Sequence, residues 1–151
     1  MEGTFELGTD GPTAILVGVD DSTTSLRAAS YAAGLARRQS ASLTAVYVGP
    51  LVSMAGSATG AGDLIAAERD AFDETAGDLR RRAEEAGRDL GIDVTFVAAQ
   101  GDPFTEIRRI ADETRADAVV VGASAKAGHR LIGSLAVRLV RAGKWPVTVV
   151  P

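Results

Sequence analysis

Five short runs rich in β-branched and small apolar residues, AILVGV (Ala14 to Val19), SLTAVYV (Ser42 to Val48), DVTFVAA (Asp93 to Ala99), DAVVVG (Asp117 to Gly122) and PVTVV (Pro146 to Val150), alternate with segments of helical periodicity. Parallel strands need a crossover between them, and helices supply it, so this alternation predicts a parallel sheet covered on both faces. With right-handed crossovers and one reversal after the third strand, the strand order is 3-2-1-4-5. The expectation is an open five-stranded α/β sheet in a single domain, residues 14–151. In such sheets ligands bind outside the carboxyl ends of the strands, where the order reverses. Here that crevice lies between the first and fourth strands.

The crossovers are legible from caps and spacing. Asp21 or Ser22 can cap a first helix that carries Leu26, Ala29, Ala33 and Ala36 inward and ends near Arg37 and Arg38, whose charges suit a C-terminal turn. From Asp63 to Leu90, Ile65, Phe72, Ala76, Leu79, Ala83, Ala86 and Leu90 stand at helical spacing, with Gly91 in the C-capping position. Between them LVSMAGSATGAG (Leu51 to Gly62) lacks periodicity and reads as a loop, either a lid or a plain connection. Asp102-Pro103 starts a third helix with Phe104, Ile107, Ile110 and Ala111 inward. A fourth carries Leu131, Leu135 and Leu139 and ends near Gly143.

The chain has 151 residues, enough for one domain with a real core. A net charge of -4 without a basic block gives no footprint for nucleic acid. The absence of cysteine excludes disulfides and thiolate chemistry, and a single histidine leaves only carboxylates for a metal, at no clustered spacing. Met1 to Thr13 contains Glu2, Glu6 and Asp10 and no apolar run, so it reads as a flexible arm rather than a secretory signal, and the cytoplasm is the expected compartment. No run approaches the ~20 apolar residues that span a bilayer.

Two features meet at the crevice. Asp20 ends the first strand, where a carboxylate can accept a hydrogen bond from an adenine amino group or a ribose hydroxyl; equally, Asp20, Asp21 and Ser22 can cap the first helix. After the fourth strand, Gly122 opens a small-residue loop that carries Lys126, Gly128, His129 and Arg130 and closes on Gly133-Ser134 at a helix start. Free N–H groups there favour an anion, and Ser134 adds a hydroxyl, although a serine at a helix start is also an ordinary cap. Lys126, His129 and Arg130 can neutralise phosphate charge, as a solvated basic loop would also present them. Val48 can wall a base pocket or simply belong to the core.

Other phosphate motifs are excluded. Gly143-Lys144 is followed by Trp145, and Arg138 stands where a P-loop needs its first glycine; G-x-G-x-x-G is absent. A phospho-acceptor receiver domain also carries paired aspartates after its first strand, but needs a third after strand three and a lysine after strand five. Here only Asp102 lies beyond strand three, and Lys126 follows strand four. No catalytic residue emerges: His129 has no serine or acidic partner at a diagnostic spacing, and Asp20 is the sole Mg2+-clamp candidate for a slow ATPase.

Taken together, VGVDDS (Val17 to Ser22), the long second helix, QGDP (Gln100 to Pro103), DAVVVGASAKAGHRLIGS (Asp117 to Ser134) and WPVTVVP (Trp145 to Pro151) resemble the universal stress protein family, over nearly all of Ala14 to Pro151. The resemblance implies a Rossmann-like 3-2-1-4-5 sheet, dimerisation through the last strand and, in one branch, ATP held by G-x2-G-x9-G-[S/T]. It puts the acidic adenosine contact on Asp20, a strand-two contact on Val48, the first motif glycine on Gly122, and the last glycine and hydroxyl on Gly133 and Ser134. Val19, Val121, Ala125, Gly128 and Leu135 complete the implied nucleotide-binding set. Two departures stand out: Ala125 replaces the second glycine, and seven residues, not nine, separate it from Gly133. If that position needs φ > 0, the alanine costs ~1 kcal/mol or more.

Val147, Val149 and Val150 close the chain on an edge strand, which invites antiparallel pairing with a second copy in an isologous homodimer. The expected function is a dimeric, nucleotide-responsive stress module that takes ATP weakly in the crevice between the first and fourth strands, with Mg2+ if the triphosphate binds. The alternative is a nucleotide-free dimeric interaction protein with a vestigial crevice.

Overall fold

The computed structural model describes residues 11–52, 62–124 and 133–151. Its elements run β1 (Ala14–Gly18), α1 (Thr23–Gln39), β2 (Ser42–Gly49), α2 (Gly62–Leu90), β3 (Val94–Gln100), α3 (Pro103–Thr114), β4 (Ala118–Gly122), α4 (Ser134–Ala142) and β5 (Val147–Val150). The five strands form one parallel sheet in the order β3-β2-β1-β4-β5. Each expected strand lies within a residue or so of its predicted place, because a two-sided buried strand can be little else but a continuous apolar run.

Side-chain alternation divides the core. Ile15, Val17, Leu43, Ala45 and Val120 face α1 and α2. Leu16, Val46, Val119 and Val121 face α3 and α4. Alanines 28, 32, 33 and 36 of α1 are buried, which lets that helix lie close to the sheet.

Local chemistry sets the ends of the helices. Ser22, not Asp21, caps α1, its side chain accepting from the Ser25 N–H at 3.2 Å. Asp102 caps α3, with Pro103 in the first turn. α1 and α3 close on left-handed Ser40 (φ 53°) and Arg115 (φ 52°), and α4 closes on Gly143 (φ 64°). Leu131, read as part of the last helix, lies outside the described residues.

α2 is longer than the sheet it covers. Phe72 packs at Gly49, stacked on Tyr47 with ring centroids 5.5 Å apart, because no Cβ at Gly49 stands in its way. Arg80 lies over the Phe96 ring at 5.0 Å, and Gly87 rests against Val94. The helix therefore crosses the sheet between Phe72 and Gly87, and the ten residues from Gly62 to Ala71 run on past the carboxyl edge by about 15 Å. They are exposed apart from half-buried Ile65, so the apolar stripe expected to reach Ile65 meets the core only from Phe72 onward.

At the opposite, amino end the sheet is clasped. Asp117 Oδ2 accepts from the Thr13 N–H (2.9 Å), the Thr13 hydroxyl (2.8 Å) and the Ala14 N–H (2.9 Å), joining the starts of β1 and β4. Thr13 also accepts from the Ser42 N–H at 3.0 Å, so the residue read as the last of a flexible arm is fixed in place. Residues 1–10 of that arm lie outside the described part. No described helix is long and apolar enough to cross a membrane.

Candidate functional site

The carboxyl ends of β1 and β4 part where the strand order reverses, and the described residues around them enclose about 310 Å³. That lies at the lower end of the range for small-molecule sites. Val46 and Val48 of β2, Val121 of β4, Ile107 of α3 and Ala136 of α4 form apolar walls. Gly18 keeps the floor open, since a Cβ there would meet Ile107 Cδ1 at 3.3 Å and Val121 Cγ1 at 3.4 Å.

The polar rim comes from the turn between β1 and α1. The Asp20 N–H donates to Ser25 Oγ (2.6 Å), the Ser25 hydroxyl donates to the Asp20 carbonyl (2.9 Å), and Asp20 Oδ1 accepts from the Ser22 N–H (2.8 Å). The turn is thus held by its own hydroxyls, with the Asp20 side chain exposed at the rim. Asp20 supports the helix start without being its cap. The Thr24 hydroxyl donates to the Ala123 carbonyl at 2.7 Å, tying the first turn of α1 to the chain leaving β4.

Gly122 explains that tie. A Cβ on it would lie 2.6 Å from Thr24 C, 2.7 Å from Thr24 O and 2.8 Å from Ser25 N, all backbone atoms. Only glycine lets α1 pack so closely on the end of β4. Gly133 is similarly crowded: a Cβ there would come within 2.9 Å of Ser124 Cβ. As the N-cap of α4, Gly133 has no side chain with which to satisfy the first N–H groups of that helix. α1 and α3 have capping side chains, whereas the N-terminus of α4 lines the crevice through Ser134, Leu135 and Ala136.

Behind the rim, on the other face of β2, Tyr47 stacks on Phe72 of α2 and feels the charges of the Asp20 turn. Burial pushes its phenol above the ordinary value, the hydrogen bond with Thr75 opposes that, and the carboxylates of Asp21 and Asp20 add to it. Beyond the crevice, the Arg138 guanidinium bonded to Asp102, with help from Thr105, holds the Asp102 carboxyl well below the usual carboxylate range.

Of the residues singled out from sequence, Val19, Asp20, Val48, Val121, Gly122, Gly133, Ser134 and Leu135 all line the one crevice. Ala125, Lys126, Gly128, His129 and Arg130 lie outside the described residues. Sequence reasoning missed Thr24, Ser25, Val46, Pro103, Ile107 and Ala136. Val46 was within reach, since it shares a strand face with Val48. The others come from helix starts whose approach to the crevice depends on tertiary packing.

The universal stress protein family model matches residues 13–151. A universal stress protein of Methanocaldococcus jannaschii, MJ0531, is 29% identical over 141 residues, covering 90% of this chain and 80% of that protein. The fold is similar to that of UspA from Lactobacillus plantarum, with a TM-score of 0.74, 26% identity, and coverage of 92% of this chain and 97% of that one. It is also similar to a universal stress protein from Archaeoglobus fulgidus solved in complex with dAMP, with a TM-score of 0.59, 25% identity, and coverage of 92% and 98%. Sheet order, crevice and family model agree over the same span, and the chain belongs to the universal stress protein family.

Proposed function

We propose that this protein is a regulatory module of the stress response that binds an adenine nucleotide in the crevice between β1 and β4. The observation that carries the reading is the joining of two unlike surfaces in one cavity: apolar walls from Val46, Val48 and Val121 suited to a base, and the glycine-capped N-terminus of α4 suited to a phosphate. The dAMP bound to the related Archaeoglobus fulgidus protein supports the same ligand class. Asp20 is the residue for the base or ribose, and Gly122, Gly133 and Ser134 line the phosphate side. Val19, Val121 and Leu135 flank them, and Ala125, Gly128, Lys126, His129 and Arg130 complete the site from the connecting loop. Bound as the triphosphate, ATP would bring Mg2+, for which Asp20 is the available carboxylate. Isothermal calorimetry of nucleotide-free protein tests the reading directly. Heat and a thermal upshift with AMP or ATP are expected, and neither appearing at millimolar nucleotide would end it.

One observation favours a second reading, a nucleotide-free interaction protein. Gly122 is required by the backbone of α1 and Gly133 is crowded by Ser124, so both glycines have structural reasons to be there without a ligand. Ala125 and the shortened loop point the same way. In both readings the protein acts in the cytoplasm as a homodimer. Among the described residues β5 is an edge strand paired only to β4, and Val147, Val149 and Val150 are half-buried on it, ready for antiparallel pairing with a second copy. Light scattering should give a dimer at micromolar concentration, and a monomeric mass would remove this part.

A further inference from the structure

The starts of α3 and α4 both border the crevice, α3 through Pro103 and Ile107 and α4 through Ser134, Leu135 and Ala136. A contact outside the cavity joins them. Arg138 stands one helical turn beyond Ser134 and so on the same side of α4. Its Nη1 donates to Asp102 Oδ1 at 2.8 Å and its Nη2 to Asp102 Oδ2 at 3.0 Å, a planar fork on a carboxylate. The same guanidinium lies over the Phe104 ring, 4.5 Å from its centroid.

Asp102 is itself fixed, because Oδ2 also accepts from the Thr105 N–H (3.0 Å) and the Thr105 hydroxyl (2.7 Å) as the cap of α3. The fork therefore ties α4 to a point already anchored in a neighbouring helix. Among the described residues α4 has a small apolar footing: it is nine residues long, buries Ala136 and Leu139, and packs half-buried Leu135 against the same core. Those three fix its distance from the sheet, but so small an apolar contact leaves a short helix room to slide and roll. A fork with matched geometry on both partners resists both motions.

We propose that Arg138 is a positioning residue which, through Asp102, aims the first turn of α4 into the crevice and so sets the strength of phosphate binding there. The phosphate half of this inference rests on the nucleotide reading above; the aiming of the helix does not.

Three variants of the full chain separate the parts. Arg138→Met keeps an apolar stem over Phe104 but removes the fork. Arg138→Lys keeps the charge without the planar geometry. Asp102→Asn keeps a capping acceptor for Thr105 and loses the ion pair. Hydrogen exchange is read at the Val137 amide, whose 3.2 Å bond to the Gly133 carbonyl closes the first turn of α4. Calorimetry compares AMP with adenosine.

Exchange at Val137 should rise, and AMP affinity should fall about three- to fivefold, the scale of a well-formed exposed pair, in all three variants, while adenosine affinity stays unchanged. Unchanged exchange at Val137 would overturn the aiming role. Parallel weakening of AMP and adenosine would overturn the phosphate role, since that is what general loosening of the crevice produces. If the wild-type chain binds neither compound, the nucleotide reading fails, and Val137 exchange alone decides whether Arg138 aims the helix.

Discussion

At the amino end of the sheet one carboxylate, Asp117, gathers three donors from the start of β1, and the helices arriving there close on left-handed residues even where these are not glycine, at Ser40 and Arg115. At the carboxyl end the strands part around a cavity, Asp20 is exposed at its rim, and the N-cap of α4, Gly133, has no side chain. Among the described residues, polar groups are thus gathered onto one carboxylate at one end of the sheet, while at the other a helix start and an exposed carboxylate border a cavity. An end whose backbone donors are already taken can contribute stability but has nothing left for a ligand; an end with open donors can take one. The division is not complete, because Gly122 makes the open end carry a packing demand of its own.

Gly122→Ala should have the largest effect and tests that exception. Its Cβ would press on backbone atoms of Thr24 and Ser25, which cannot swing aside, and about 2–3 kcal/mol of stability should be lost in urea unfolding. A near-neutral result would mean the end of β4 can shift away from α1, making the carboxyl end softer than described.

Asp117→Ala should cost about 1–2 kcal/mol by leaving the Thr13 and Ala14 N–H groups without their acceptor, while nucleotide affinity is unaffected. Its pH dependence follows from the native carboxyl. Burial pushes that group up, but the Thr13 hydroxyl and the Thr13 and Ala14 N–H groups outweigh burial and leave it below its ordinary value. The contribution is therefore complete above the unfolded value of about 3.9 and is lost as pH falls through the lower native one. The gap between wild type and variant should close in acid; a gap that widened there would contradict the clasp.

Ser134→Pro probes the open end without touching the core. Gly133 already has the extended backbone (φ -63°, ψ 159°) that a following proline requires, and proline is accepted in the first helical position. Stability should change by less than about 0.5 kcal/mol, whereas AMP affinity should drop about fivefold with the loss of one N–H donor and the hydroxyl. Equal loss of both would blur the distinction between the two ends. The smallest effect belongs to Arg115→Gly, which relieves a left-handed residue at the closed end and should add about 0.5–1 kcal/mol, read as a rise in Tm, with no change at the crevice.

The fold was largely legible because its evidence is local. β-Branched runs buried on both faces, the Ser22 and Asp102 caps and the Gly143 stop each sit within a few residues of what they determine. The crevice followed from strand order, which brought Asp20, Gly122 and Ser134 together without knowledge of any contact. What sequence could not supply was the reason for particular residues. The bond from Thr24 to Ala123 joins positions 99 apart, and that from Arg138 to Asp102 joins positions 36 apart. Gly122 read as a place for phosphate to approach, yet its missing side chain makes room for a helix. Asp117 was read only as the start of a strand. Such roles depend on which turn faces which strand end, and no periodicity records that.

The overhang of α2 leaves its first ten residues, half-buried Ile65 apart, outside the selection that packing imposes on the rest of the helix. From Phe72 onward a substitution must still suit Tyr47, Phe96 or Val94; before it, Leu64 is 68% exposed and Asp63, Glu68, Arg69 and Asp70 are turned to solvent. Sequence there is free to drift, or to be chosen. Because the sequence contains no cysteine, a single thiol introduced at Leu64 would be its only thiol, a unique handle for thiol-selective attachment of a dye or a surface, rooted in a helix and set apart from the sheet.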